Sequence, residues 1–117
     1  MERKYDLEER TEKFSLRVRD LCRNLKHDVI NREYIVQLIR SAGSVGANYI
    51  EANDNLGDKD LRFRIRISKK EAKESGYWLR HLITYENKEY EDERLLLMKE
   101  AEELMKIFAA ILIKLSK

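Results

Sequence analysis

Proline is absent from this chain and glycine occurs only four times. Few positions can therefore break a helix or set a left-handed turn, so long helices joined by short turns are favoured. The single cysteine, Cys22, excludes an internal disulfide and a cysteine-based metal cluster. Beside Leu21 it reads as a buried thiol rather than a nucleophile. No apolar run is long enough for a membrane span and no stretch resembles a signal peptide, so cytoplasmic residence without membrane attachment is expected. Charge of one sign is lacking too: 24 Lys and Arg against 22 Asp and Glu leave a formal net charge of +2. Bulk charge thus gives little support to nucleic-acid binding, and only local arrangement can supply it.

What the chain does have is apolar residues at helical spacing. With 43% hydrophobic residues over 117 positions it can bury a core as one domain, residues 1–117, with residues 1–10 expected to fray. The stretch Asp58 to Asn87 carries Leu61, Ile65, Ser68, Ala72, Ser75, Leu79 and Leu82 at steps of four and three. That is one stripe along a helix, small and polar at its middle, where another helix can approach closely. Such a helix of roughly 28 residues would be about 42 Å long, enough for the spine of a bundle. Thr11 to about His27 carries Phe14, Val18, Leu21, Cys22 and Leu25 on one face, with Leu7 extending it upstream. His27 falls at the helix end, where a capping role is expected.

After a turn at Asp28 to Asn31, with Asn31 as the expected cap, a second helix runs to about Asn53. Its inward side is read as Tyr34, Ile35, Leu38, Ile39, Ala42, Val45, Tyr49 and Ile50. Gly57 and a capping Asp58 begin the third helix. Glu86 to Asp92 is a polar connection, and a fourth helix from about Glu91 to Leu115 carries Leu97, Ala101, Leu104, Phe108, Ile111 and Leu115. An all-α fold follows: an antiparallel four-helix bundle with long helices and short loops. The surplus apolar coverage of the third and fourth helices favours a homo-oligomer.

No motif for chemistry is intact. Gly43 and Gly46 lack the lysine and serine of a phosphate loop, and Asp54, Asn55, Asp58 and Asp60 lack the spacing and terminal glutamate of a calcium loop. Glu51 and Glu71 form a conceivable hydrolytic pair, but no nucleophile or metal-ligand set accompanies them. Neither a catalytic role nor a cofactor is expected. Ser44, Asn48 and Glu51 recur at four and three positions, a polar series that is either structural or used in recognition. On the third helix Arg62, Arg66, Lys69, Lys70 and Lys73 lie near one another, with Lys59 and Arg64 at the edge. They make an electrostatic footprint for nucleic-acid phosphates, unless Glu71, Glu74 and acids of neighbouring helices neutralise them into a solvated face or subunit contact. Tyr77, Trp78, Leu79, Leu82, Ile83 and Tyr85 read as a wide bundle or oligomer core rather than an aromatic ligand box. Phe63 is several turns from Tyr77 and Trp78, so no compact stacking platform is expected.

Ser41 through Glu51, especially Ser44, Asn48 and Glu51, together with Lys70, Glu71, Ala72, Glu74, Tyr77, Trp78 and Leu79, resembles the S23 or 23S ribosomal RNA intervening-sequence family of four-helix bundles. More remotely the chain resembles the accessory bundle proteins of diversity-generating retroelements. The likeness extends from about Phe14 to Leu115. It implies a homopentameric ring with a central channel, a polar core at Ser44, Asn48, Glu51, Glu71 and Ser75, and RNA or DNA contact on the basic face. The expected function is an oligomeric helical scaffold that binds RNA or DNA through phosphates with little base reading. The alternative is a structural module whose third helix is covered by another subunit or a protein partner.

Overall fold

The structure, a computed structural model, describes residues 4–117. Four helices follow one another: α1 (Lys4–Asn24), α2 (Val29–Asn53), α3 (Asp58–His81) and α4 (Lys88–Leu115). Each of α1 and α3 packs against both α2 and α4, so the helices occupy the corners of a square. Side-chain bonds give the direction. Between α2 and α3, Ser41 meets Ser75, Val45 meets Ser68 and Asn48 meets Arg64; between α3 and α4, Arg62 reaches Leu115 and Arg94 reaches Leu79. Ascending numbers pair with descending ones, so neighbours are antiparallel, as the short connections require. The bundle measures 46 × 28 × 19 Å. No helix of the described residues is long and apolar enough to cross a membrane.

The core is made by the expected stripes. Phe14, Val18, Leu21 and Cys22 of α1, Ile65, Ser68, Ala72, Ser75 and Leu79 of α3, and Leu97, Ala101, Leu104 and Phe108 of α4 are buried, while Leu61 is half-buried. On α2 the stripe is narrower than its sequence suggests. Ile35, Leu38, Ala42, Val45 and Tyr49 are buried, but Ile39 and Ile50 are exposed, since α2 turns only one face to its two neighbours. Gly46 is needed where α1 crosses: a Cβ there would lie 2.9 Å from Thr11 Oγ1 and 3.2 Å from Thr11 Cβ. Small residues thus let these backbones approach.

The helix ends correct several expectations. α1 begins by Lys4, with Leu7 buried, and ends at Asn24 rather than His27; Met1, Glu2 and Arg3 of the expected frayed segment lie outside the described residues. A carbonyl can only accept, so the His27 Nε2–H donates to the Cys22 carbonyl at 2.8 Å, satisfying an orphan group at that end. Asp28, not Asn31, caps α2, accepting from the amides of Ile30 and Asn31. Asn31 is instead fully buried, donating to the carbonyls of Lys26 (3.0 Å) and Ile83 (3.1 Å) and accepting from the Ile83 amide (3.0 Å). That contact draws Ile83 out of helical pairing. α3 accordingly stops at His81, six residues short of Asn87, and Tyr85 and Glu86 take left-handed φ values of 54° and 61°. Asn87 caps α4 by accepting from the Tyr90 amide, so that helix starts at Lys88, before Glu91. At the head of α3, Gly57 with φ of 132° is the cap position, and Asp58 is the first helical residue instead of the cap.

Candidate nucleic-acid interface

Arg62, Arg66, Lys69, Lys70 and Lys73 fall within roughly a 100° arc of α3, away from the buried stripe, as their spacing dictates at about 3.6 residues per turn. Arg66, Lys70 and Lys73 are exposed; Arg62 and Lys69 are half-buried. Arg62 is engaged locally, donating to the Leu115 carbonyl at 3.2 Å and lying 3.4 Å from Asp58, so it braces the last turn of α4. Arg66, Lys69, Lys70 and Lys73 have no hydrogen-bond or ion-pair partner among the described residues. Four positive charges thus share one face of one helix.

Several of the acids that could neutralise them are engaged elsewhere. On α4, Glu100 accepts a bidentate pair from Arg10 and Glu93 another from Arg17, which ties α1 to α4 and raises the Arg17 pKa through that bond. Glu74 accepts from Trp78 Nε1 at 3.3 Å. Glu71 is half-buried; desolvation, then repulsion from Glu74, holds its carboxyl above the ordinary range, with Lys70 acting in the opposite direction. Arg64, expected at the edge of the basic face, points instead to α2, where Nη1 donates to Asn48 Oδ1 at 3.0 Å and Nε sits 3.6 Å from Asp60.

The polar series divides. Asn48 Nδ2 donates to the carbonyl and Oγ of Ser44, while Glu51 is exposed and so stands outside any polar core. Ser75 is buried and donates to the Glu71 carbonyl at 2.8 Å and to Ser41 Oγ at 3.0 Å. Ser41 and Ser68, rather than Asn48 and Glu51, are its companions in the interior between α2 and α3. The helix register puts Glu51 and Glu71 roughly 13 Å apart along the bundle axis, too far to act on one bond.

Two features escape the sequence reading. A groove of about 370 Å3 between α3 and α4 is lined by Lys73, Arg80, Lys99 and Glu102 together with Ala72, Gly76 and Ala101. Positive charge therefore continues from α3 onto α4. At the same end Tyr34 of α2 joins Tyr77, Trp78 and His81 of α3, with ring centroids 6.1 Å (Tyr34 to Trp78), 5.2 Å (Tyr34 to His81), 5.0 Å (Tyr77 to Trp78) and 4.5 Å (Tyr77 to His81) apart. A compact aromatic cluster exists after all, but without Phe63. Tyr77, Ile83 and Tyr85 are exposed on the single chain, not buried in its core. The sequence signal available was the continuation of the stripe, Lys73 to Tyr77 to Arg80, at steps of four and three; Tyr34 and Lys99 required the fold.

Residues 3–110 match the model of the 23S rRNA-intervening sequence protein family. The chain belongs to that family. The match spans the basic face, the Ser41–Ser75 contact and the aromatic cluster alike. This member of the intervening-sequence family is also similar to a crystal structure at 1.70 Å of a protein of unknown function from the S23 ribosomal protein family of Bacteroides thetaiotaomicron VPI-5482. The two are 27% identical with a TM-score of 0.73, over 90% of this chain and 96% of that one. No curated protein matches.

Proposed function

We propose that this chain is an oligomeric, non-catalytic helical scaffold that binds RNA or DNA through the phosphate backbone along α3. The observation that carries the reading is the set Arg66, Lys69, Lys70 and Lys73, on one face without ion partners among the described residues, extended by Lys99 across the groove. Unpaired cations on a rigid helix bind phosphates by displacing counterions and carry no base code of their own. Assembly into a homo-oligomer, with five subunits as the family resemblance implies, is supported by Leu95, Leu96 and Ile113, which stand exposed on α4. Those residues equally favour the second reading, a structural module that meets another protein.

The test replaces Arg62, Arg66, Lys69, Lys70 and Lys73 together by glutamine and compares RNA and DNA binding at matched helical content and oligomer mass. Four phosphate contacts would weaken wild-type duplex affinity about 100-fold between roughly 50 and 200 mM salt, and the variant would lose most of that dependence. Equal binding by wild type and variant, or none by wild type at low salt, would defeat the basic-face reading in favour of the protein-interaction module.

A further inference from the structure

We infer that Tyr77, Trp78, His81 and Tyr34 form a base-stacking platform that makes the interface selective for single-stranded nucleic acid. This rests on the phosphate reading of α3 and adds to it a binding site for unpaired bases.

Position is the first argument. Tyr77 lies one turn beyond Lys73 on the same face, so a strand whose phosphates follow Lys70 and Lys73 brings its next base against this ring. Chemistry is the second. Four aromatic rings, each touching at least two of the others, form a π platform that any base can use, whatever its hydrogen-bonding edge. Their planes are held from the side: Glu74 accepts the indole N–H, and the His81 Nδ1–H donates to the Tyr77 carbonyl at 2.8 Å. Tyr77 is 46% exposed, and the exposed Arg80 guanidinium lies 5.5 Å from its ring centroid. Arg80 sits on a flexible stem. It moves from the ring to a phosphate as a base takes its place, so the cation leaves one favourable contact for another.

A duplex cannot use this platform, because its bases are already stacked. Phosphate contact along α3 serves duplex and single strand alike, while the rings add affinity for the single strand alone.

Trp78 is the only tryptophan, so its emission reports on the cluster directly. The probes are a short mixed-sequence oligodeoxynucleotide, a strand of equal length built entirely of abasic sites, and the duplex of the first. Wild type is expected to bind the normal strand about tenfold more tightly than the abasic strand, with Trp78 quenched only by the former. Tyr77→Ala should remove that tenfold advantage while leaving abasic-strand and duplex affinity unchanged; Tyr77→Phe should keep it. Equal wild-type affinity for normal and abasic strands overturns the platform and leaves the phosphate reading standing. A Tyr77→Ala variant that keeps the preference, loses affinity for all three probes equally, or changes only the oligomer mass also overturns it. Failure of wild type to bind any probe at low salt removes both readings together.

Discussion

Asn31 closes the end of the bundle at which the aromatic cluster sits, and replacing it by alanine tests that closure. Its side chain is fully buried and makes three bonds of 3.0–3.1 Å, to the Lys26 carbonyl and to both backbone groups of Ile83, 52 positions away. Each is worth about 0.5–1.5 kcal/mol net, so Asn31→Ala should cost roughly 2–4 kcal/mol. For a chain of this length that lowers Tm by roughly 8–16 °C. Asn31→Asp should do no better: it keeps an acceptor for the Ile83 amide but sets a carboxylate against two carbonyl oxygens. Because Tyr34 follows Asn31 by one turn and His81 precedes Ile83 by two residues, loosening the latch should also shift Trp78 emission before global unfolding. Urea and thermal unfolding, followed by helical signal and by Trp78 at constant protein concentration, measure both effects. A loss below about 0.5 kcal/mol would refute the claim that these bonds hold the two connections together.

Gly46→Ala places a methyl 2.9 Å from Thr11 Oγ1, against a β-branched residue that cannot swing away, and should cost about 1–3 kcal/mol in urea unfolding. Thr11→Ala in the same chain should recover part of that loss, and failure to do so would separate Gly46 from the α1–α2 approach. Burial pushes the Cys22 thiol from 9.0 up to about 12, so it should resist alkylation at pH 8 until the chain unfolds. The unfolded chain releases that proton first, so stability should fall between pH 9 and 12 by up to roughly 1.4 kcal/mol per pH unit. Cys22→Ala should flatten that part of the profile, and an unchanged alkaline slope would show that the thiol is not the group responsible.

Helix type, helix order and the inward face of α3 and α4 are properties of the sequence itself. Leu61, Ile65, Ser68, Ala72, Ser75 and Leu79 define one stripe however the rest of the chain is arranged, and only burial against other helices removes it from water. The exposure of Arg66, Lys70 and Lys73 follows from the same periodicity, because residues placed away from a buried stripe face outward. Tertiary structure decided where α3 stops, because a side chain on α2 takes both backbone groups of Ile83 and no local pattern records that competition. It decided that Ile39 and Ile50 stay exposed, since apolar character does not say how many neighbours a helix has. It turned Glu93 and Glu100 of α4 toward α1, away from the cations of α3, and it built the aromatic cluster by bringing Tyr34 to Trp78 and His81. Charge pairing and ring contact act over a few ångströms in space, so positions distant along the chain become neighbours only once the helices have packed.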